Sequence, residues 1–275
     1  MTACAGVVLA GGRSLRMGTP KAALEWHGST LLRRTVGIVA RATGGPVVVV
    51  RAYGQDLPEL PGGTVVVDDP REGKGPVQGI AAGLAAVRAL DEHAEMAFVS
   101  ATDLPFLHPA FISLVLRALR EERADVALPV ARGYPQPLAA AYRTSLAVTA
   151  ERLVADDRLR PAFLFAECAV IRLDEARLRR DPVLASVDPG LDSLLNVNEP
   201  AGYQAARARP APEVSVRLPG TRLAVRAATV RAAADAAGLP FDGHVTAALN
   251  GGPFTRDGET PLASGDTVVF LSGPA

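Results

Sequence analysis

The sequence predicts an α/β protein: a large, doubly wound, Rossmann-like domain with a mostly parallel sheet, followed by a small α+β domain. Short valine-rich runs alternate with helical patterns over the first two hundred residues, which is typical of strand–helix–strand units. The composition then changes at a proline-rich segment after Tyr203. The chain has 275 residues, 48% of them hydrophobic, which suffices for one large core and a smaller one.

Five apolar runs in the first part predict buried strands, because they are short and polar residues rarely interrupt them. These strands are predicted at residues 7–9, 47–50, 65–67, 97–99 and 126–130. Helical patterns lie between them at residues 30–41, 77–90 and 109–122. Ser29 is placed to cap the first helix, and Gly44 follows its end. Ligands of such sheets bind beyond the carboxyl ends of the strands, so the segments after the strands are the candidate sites.

The second domain is predicted from the order of its patterns. The segment "RARPAPE" (207–213) has no periodicity and predicts a linker. "VSVRLPGTRLAV" predicts a hairpin that turns at Pro219 and Gly220, residues 230–237 predict a helix, and "HVTAALNGG" and "DTVVFLS" predict strands. We therefore assign residues 1–208 to the large domain, 209–212 to the linker and 213–275 to the small domain.

Charge and composition exclude several classes of function. Lysine and arginine total 29, as do aspartate and glutamate, and a formal net charge of zero argues against extended nucleic-acid or membrane-surface binding. The first apolar run ends at Gly11, too early for a signal peptide or a membrane span. Cys4 and Cys168 lack metal-ligand spacing. We expect a cytoplasmic protein that binds neither nucleic acid nor membranes.

A loop rich in glycine and cations follows the first strand, in "LAGGRSLRMGTPK". Glycine lets backbone N–H groups approach a ligand closely, and the cations can neutralise a polyphosphate. The loop matches neither the Walker pattern nor the dinucleotide fingerprint, and its alternative interpretation is an ordinary surface loop. Its candidate nucleotide-binding residues are Leu9, Ala10, Gly11, Gly12, Arg13 and Lys21, and Arg16 is a further cation of the loop.

Lysine is rare in this chain. Lys21 and Lys74 are the only lysines among 29 basic residues, and both lie in glycine-rich loops. A compact ammonium group and a planar guanidinium are not equivalent at a tight phosphate site. We therefore expect a functional role for Lys21 above all.

Asp103 follows the strand at residues 97–99 and precedes Leu-Pro. A carboxylate at that strand end suits Mg²⁺, which prefers oxygen ligands and phosphate partners. The alternative is a helix N-cap. Because Pro105 places the next helix later along the chain, we favour the metal.

Two further pairs of polar residues are weaker candidates. Asn196 and Asn198 alternate along an extended segment, so both amides face one side and can meet one ligand; the alternative is that they serve a turn. Asp68 and Asp69 follow the third strand, where two solvated carboxylates in a turn are common.

These motifs together resemble the nucleotidyltransferase superfamily, and within it the molybdenum cofactor guanylyltransferases. "LAGGRSLRMGTPKAAL" resembles the superfamily signature, and further segments agree in order: "DDPREGKGPVQGIAAGL" (68–84), "ATDLPFL" (101–107), "QPLAAAY" (136–142) and "LLNVNEP" (194–200). The resemblance covers about the first two hundred residues. It implies an enzyme that uses Mg²⁺ to transfer GMP from GTP to a molybdopterin-type acceptor, with release of pyrophosphate.

The resemblance also implies roles for single residues. It makes Arg16, Lys21 and Asp103 catalytic, with Asp103 holding the metal, and assigns the acceptor to Asn196 and Asn198. The implied nucleotide-binding set is the loop named above together with Asp68, Gly75 and Pro76.

Other functions remain open from the sequence. "LAGG" and "GPVQG" favour guanine, whereas "TPK" resembles the cytidylyl relatives, so a CTP-dependent cofactor cytidylyltransferase is an alternative. A sugar-1-phosphate nucleotidyltransferase and a non-catalytic partner-binding module are the others.

Residues 213–275 resemble the β-grasp (ubiquitin-like) sulfur carriers that include the small subunit of molybdopterin synthase. "ATVRAAADAAGL" and "TPLASGDTVVFLSG" match their helix and closing strand. The resemblance implies contacts with proteins of the molybdenum cofactor pathway. Working carriers end in Gly-Gly, whereas this chain ends in Ser-Gly-Pro-Ala, so we expect a docking module rather than a sulfur carrier.

Overall fold

The computed structural model describes residues 4–11, 20–70, 75–218, 220–242 and 244–272, and the structural statements below refer to these residues. The described chain forms two larger sheets, one in each predicted domain. Within these ranges, no helix has both the length and the apolar character that a bilayer crossing requires.

The first sheet is mixed and mostly parallel. The strands of the first part are β1 (Cys4–Leu9), β2 (Glu25–Trp26), β3 (Ser29–Thr30), β4 (Gly44–Ala52), β5 (Thr64–Asp69), β6 (Met96–Ala101), β7 (Val126–Ala131), β8 (Tyr134–Pro135), β9 (Ala139–Arg143) and β10 (Val170–Leu173). The sheet order is β10-β7-β9-β6-β1-β4-β5, with β8 paired to β7. Every neighbouring pair in this order is parallel except those of β9, which runs antiparallel to β6 and β7. The five predicted strands are all present.

The sequence did not predict β9 as a strand, for a physical reason. Its residues Ala139–Arg143 are mostly alanines, which favour helix rather than strand in isolation. In the sheet, Ala139, Ala140, Ala141 and Tyr142 are all buried. Small side chains suit a strand that lies between two others and is covered on both faces, and burial here outweighs intrinsic propensity.

Helices cover both faces of this sheet, as predicted. The helices of the first part are α1 (Leu31–Thr43), α2 (Gly75–Leu90), α3 (Pro109–Glu121), α4 (Leu146–Ala155), α5 (Pro161–Phe165), α6 (Glu175–Arg179), α7 (Pro182–Val187) and α8 (Pro200–Arg207). One core joins α1 and α3 to the sheet, through residues such as Val36 and Phe111. A second core joins α2 and α4 to the opposite face, through Ile80 and Ala150. The doubly wound prediction is therefore confirmed.

The ends of α1 confirm one predicted cap and correct the other. Thr30, not Ser29, is the N-cap, and its hydroxyl accepts a hydrogen bond from the Arg33 N–H. The Ser29 hydroxyl instead donates to Glu259 at 2.9 Å. Thr30 lies one residue nearer the helix and has the extended backbone that an N-cap needs. Gly44 ends the helix with φ 68°, as expected for a left-handed C-cap.

Glycines let α2 lie close to β1. A Cβ on Gly83 would be 2.3 Å from Cγ1 of Val7, and one on Gly79 would be 3.1 Å from the Leu9 side chain. Leu9 ends β1, and Gly79 lies one turn from the start of the helix. The first residues of α2, Gly75 and Pro76, therefore lie beyond the carboxyl end of β1.

The second sheet is smaller and has its own core. Its strands are β11 (Glu213–Leu218), β12 (Thr221–Arg226), β13 (Val245–Leu249), β14 (Phe254–Thr255) and β15 (Thr267–Ser272), in the order β12-β11-β15-β13-β14, with α9 (Val230–Ala236) between β12 and β13 in the chain. Only β11 and β15 pair in parallel. Val216, Val230 and Phe270 are among the buried residues of this core. The predicted hairpin, helix and two strands are present, whereas β14 was not predicted.

We call residues 213–272, as far as they are described, the C-terminal unit. It lies against α1: Arg33 pairs with Asp257 at 2.9 Å, and Arg41 pairs with Asp266 at 2.7 Å. Gly37 faces Pro261 so closely that a Cβ would be 2.6 Å from the proline ring. One face of α1 packs on the first sheet, and the other face binds the C-terminal unit.

Candidate functional site

Backbone bonds fix the start of the predicted loop at the carboxyl end of β1. The N–H groups of Ala10 and Gly11 both donate to the Val50 carbonyl, at 2.8 and 3.2 Å. The Leu9 carbonyl accepts from the Thr102 hydroxyl at 2.9 Å. A Cβ on Gly11 would be 3.1 Å from the Ala52 nitrogen, which accounts for glycine there. The N–H of Gly11 is thus used by β4, contrary to the expectation that it faces a ligand.

Gln55 is a residue of this region that the sequence reasoning missed. Its Nε2 donates to the Ala10 carbonyl at 3.1 Å, and its Oε1 accepts from the Ala52 N–H at 3.0 Å. It therefore ties the turn after β4 to the turn after β1. Its position just after the end of a predicted strand was the sequence feature that could have identified it.

Four predicted site residues meet at one place. The Lys21 Nζ donates to Oδ2 of Asp103 at 2.9 Å and to Oδ1 of Asn198 at 2.6 Å. Asn196 approaches the other carboxylate oxygen of Asp103, with 3.4 Å between Nδ2 and Oδ1. Asp103 is 82 residues from Lys21 in the sequence, and Asn198 is 177 residues away. Asn198 contacts the ammonium and Asn196 the carboxylate of the Lys21–Asp103 pair, so both face one place, in keeping with the alternation of an extended segment.

The chain segments that carry these four residues also form a small apolar cluster, which we call the aromatic cluster. Its buried members are Trp26, Leu31, Val197, Tyr203 and Ala206, and Leu24, Phe106 and Leu195 pack against them. Each chain segment that supplies a polar site residue also supplies a member of the cluster: Trp26 follows Lys21, Phe106 follows Asp103, and Val197 separates the two asparagines. The rings of Trp26 and Phe106 meet edge to face at 5.5 Å, and Arg209 lies over Phe106 at 4.4 Å. The cluster holds three distant segments in one arrangement.

Asp103 does not cap the helix that follows it. The N-cap of α3 is His108, whose Nδ1 accepts from the Ala110 N–H at 3.0 Å. The Asp103 carbonyl accepts from the Val197 N–H at 2.9 Å, which joins the segment after β6 to the asparagine segment. The alternative reading of Asp103 as a cap is therefore wrong, and its carboxylate faces the site. Burial lowers the pKa of His108, so the ring that caps α3 favours its neutral form.

The donor set around Asp103 suits a hard cation. It offers the Asp103 carboxylate and the amide oxygen of Asn198, and the Lys21 ammonium already contacts both oxygens as a cation. Asn196 turns its amide nitrogen toward the carboxylate. Among the described residues, no group of three histidine, cysteine, aspartate or glutamate side chains forms a metal cluster. Mg²⁺ does not need one, because it is usually bound by one or two carboxylates together with substrate phosphates.

The two aspartates that end β5 face opposite sides of the sheet. Asp68 accepts from the Arg51 Nε at 2.7 Å on the exposed side. Asp69 accepts from the Gln78 Nε2 at 2.6 Å, on the side of α2. Gln78 is only 2% exposed, and its Oε1 has no hydrogen-bond donor in the described part of the chain. Nothing in the sequence distinguished Gln78 from its helical neighbours.

Of the remaining predicted residues, some lie within the described part of the chain and others lie outside it. Gly75 and Pro76 begin α2, and Gly75 has φ 72°. Gly12, Arg13, Arg16 and Lys74 lie outside the described residues.

The chain is similar to known nucleotidyltransferases over most of its length. The family model described as "MobA-like NTP transferase domain" matches residues 6–174. A protein of Mycobacterium tuberculosis named "Probable molybdenum cofactor guanylyltransferase" is 37% identical over 203 residues, which cover 73% of this chain and 92% of that protein. A protein of Mycobacterium avium with the same name is 40% identical over 153 residues, 55% of this chain and 75% of that protein.

A solved structure shares the fold. The crystal structure of molybdopterin-guanine dinucleotide biosynthesis protein A from Archaeoglobus fulgidus superposes with a TM-score of 0.58 at 22% identity, over 74% of this chain and 96% of that one. About a quarter of the present chain lies outside this match and outside the M. tuberculosis match. On the extent of the family match and of the sequence identity, the chain belongs to the MobA-like NTP transferase domain family, and it is a nucleotidyltransferase.

Proposed function

We propose that this protein transfers GMP from GTP to a molybdopterin-type acceptor and releases pyrophosphate. The names of its relatives and its family membership support this reaction. The observation that carries the proposal is the placement of the Lys21 ammonium, which bonds to Asp103 and Asn198 at the carboxyl ends of the strands. A compact cation beside a carboxylate and two amides is suited to triphosphate binding with a metal.

The nucleotide would lie across the carboxyl ends of β1, β4 and β5. Leu9, Ala10 and Gly11 form the floor, and the lack of a Cβ on Gly11 lets the backbone of β4 lie close beside it. Gly75 and Pro76 begin a helix of 16 residues, whose N-terminal end favours an anionic ligand. Gly12 and Arg13, which lie outside the described residues, are also proposed to bind the nucleotide, and Asp68 is the proposed contact to the nucleoside.

Asp103 would hold Mg²⁺, with Asn196 and Asn198 beside it. When bound, the ion would neutralise phosphate charge and orient the α-phosphate. Asn196 and Asn198 would also contact the acceptor. The amide groups are neutral, so they can orient an anionic acceptor without forming an ion pair.

The reaction needs no covalent intermediate on the protein. An oxygen of the acceptor phosphate attacks the α-phosphorus in line, a new P–O bond forms, and the bond to the pyrophosphate oxygen breaks. Lys21 and Arg16 would donate to the phosphates that leave, where negative charge increases. Catalysis is then positioning and charge stabilisation.

We further propose that residues 1–208 and 213–275 are separate domains and that the second is a β-grasp domain. Its support is the strand order β12-β11-β15-β13-β14 around a parallel central pair, with one helix and a separate core. Strand and helix are absent between Arg207 and Glu213. Contacts with proteins of the cofactor pathway through this domain are part of the same proposal.

Pyrophosphate release with GTP, CTP and ATP, each with Mg²⁺ and a molybdopterin acceptor, tests the function. We expect GTP to be preferred and Asp103→Asn to abolish turnover while the fold survives, since Asp103 is not a helix cap. Added Mg²⁺ should not restore the variant. A variant that melts but keeps its specific activity would instead make Asp103 a structural residue.

A further inference from the structure

One buried guanidinium joins the Asp103 segment to the C-terminal unit. The Arg34 Nε donates to the Pro105 carbonyl at 2.7 Å, and its Nη1 donates to the Leu262 carbonyl at 3.1 Å. Arg34 is 7% exposed, and burial, with the nearby charge of Arg41, lowers its pKa to about 10. It stays charged at neutral pH and, in the described chain, is held by neutral carbonyls rather than by a carboxylate.

A second bond joins the same two parts. His108 Nδ1 accepts from the Ala110 N–H, so the ring proton is on Nε2 and donates to the Ser264 carbonyl at 3.0 Å. Residues 102–108, which we call the aspartate loop, are therefore attached to the C-terminal unit at Pro105 through Arg34, and at their end through His108.

The backbone of the aspartate loop has little conformational freedom between Asp103 and Pro105. Proline fixes its own φ and restricts the residue before it to extended backbone. Leu104 is that residue, and it is buried. A shift of the Pro105 carbonyl is therefore expected to shift the Asp103 carboxylate, two residues away, as well. The bonds of this carboxylate with Lys21 and Asn196 would then change.

We propose that Arg34 is a positioning residue for nucleotidyl transfer: it fixes the aspartate loop against the docked C-terminal unit and so makes that unit part of the transferase site. The role of Asp103 in this inference rests on the proposed function. The attachment of the loop by Arg34 does not, and the two can be tested separately.

Arg33 is a matched control. It neighbours Arg34 on α1, is 6% exposed, and pairs with Asp257 and Glu259 of the same C-terminal unit at 2.9 and 3.2 Å. Its bonds go to that unit and to Glu59, not to the aspartate loop. Replacing either arginine removes a buried guanidinium from one interface, but only Arg34 contacts Pro105.

The experiment uses the full chain with Arg34→Met, Arg34→Lys and Arg33→Met. Hydrogen–deuterium exchange is followed in residues 102–107, and kcat and KM for GTP are measured with Mg²⁺. In Arg34→Met we expect exchange in the aspartate loop to rise about tenfold and kcat to fall about tenfold, with a smaller change in KM. Arg33→Met should leave loop exchange and kcat within about twofold of the parent, even if it loosens residues 257–266. Arg34→Lys keeps one donor for Pro105 and should restore part of both values.

Equal effects of Arg33→Met and Arg34→Met on the aspartate loop, or no effect of Arg34→Met, would overturn the inference. If Arg34→Met does not fold, Arg34→Lys decides: unchanged loop exchange together with unchanged kcat contradicts the proposed role. If the parent protein transfers no nucleotide, the proposed function fails, while the exchange data still show whether Arg34 holds the loop.

Discussion

At the scale of single residues, the site depends on a lysine in a chain whose basic residues are almost all arginine. Lys21 meets Asp103 and Asn198 as a compact donor with three N–H groups. A guanidinium is planar and holds its N–H groups in a rigid fork, so it is not equivalent to a compact ammonium at these two oxygens. The rarity of lysine and the strand-end position of the loop were visible in the sequence, which is why Lys21 was predicted.

Replacing Lys21 tests the proposed phosphate role. Lys21→Ala should lower GTP affinity or turnover at least tenfold, which corresponds to about 1.4 kcal/mol. Lys21→Arg keeps the charge but not the shape, and should recover only part of the loss. Calorimetric GTP titration and pyrophosphate release measure the two quantities, and wild-type values in Lys21→Ala would remove this residue from the site.

Local patterns predicted some residues of the site but not those whose role depends on distant partners. Asp103, Asn196 and Asn198 were predicted from strand-end or alternation patterns, and the structure brings them together with Lys21. Arg34 lies in an ordinary amphipathic helix, where an arginine predicts a solvated face. Only tertiary structure places Pro105 and Leu262 at its two nitrogens.

At the scale of elements, helix α1 joins two surfaces, and Gly37 lets the second one approach. The helical pattern was predicted from the sequence, but the partner of its polar face was not, since charged residues usually face water. Glycine normally weakens a helix relative to alanine. Here its lack of a side chain admits the ring of Pro261.

Two glycine-to-alanine changes separate helix propensity from packing. Gly37→Ala should lower the free energy of unfolding by about 1–3 kcal/mol, because its Cβ collides with the Pro261 ring. Gly202 lies in α8 with open space around its Cα, so Gly202→Ala should raise that free energy by about 0.5–1 kcal/mol. Urea unfolding of both variants checks the signs. If Gly37→Ala instead stabilises the protein, the Pro261 ring must be able to move away from the new Cβ with little loss of free energy.

His108, the N-cap of α3, should make stability depend on pH. Its folded pKa is lowered by burial, so below its unfolded value of about 6.5 the unfolded chain binds a proton that the folded ring resists. The stability contributed by the neutral ring is thus fully present above that pH and is lost as the pH falls from it toward the lower folded pKa. The proton would also occupy Nδ1, which accepts from Ala110.

The control for this prediction is His108→Asn, which can cap the helix without titrating. Between pH 7 and about 5, the parent should lose more stability than His108→Asn, as measured by thermal unfolding at each pH. Parallel curves for the two proteins would mean that His108 does not titrate in this range.

At the scale of the whole molecule, both sheets were predictable from local patterns, but the docking of the C-terminal unit on α1 was not. Alternating strands and helices predicted the first sheet, and the hairpin–helix–strand order predicted most of the second. The charged contacts of the interface join arginines on α1 to acidic side chains and carbonyls within residues 257–266. Such residues are typical of exposed surface, so the sequence predicted a linker between the two parts but not their contact.

We expect the two parts to unfold together. Separation breaks the bonds of Arg33, Arg34 and Arg41 with the C-terminal unit at once. In urea, the fluorescence of Trp26, the only tryptophan, should change with the same midpoint as the far-ultraviolet circular dichroism, within about 0.2 M. Weakening the interface by Arg33→Met with Arg41→Met should separate the transitions, and two clear transitions in the parent protein would contradict the expectation.

The position of β15 has a consequence for the chain while it is being made. β15 lies between β11 and β13, so the second sheet cannot close until residues 267–272 have been synthesised. At about 5–20 residues per second, roughly 10 to 45 seconds separate the completion of α1 from that of β15. During this interval the face of α1 that binds the C-terminal unit is exposed to solvent. That face carries arginines and not leucines, so the incomplete chain exposes a charged, hydrated surface instead of an apolar one. The delay therefore adds little risk of aggregation.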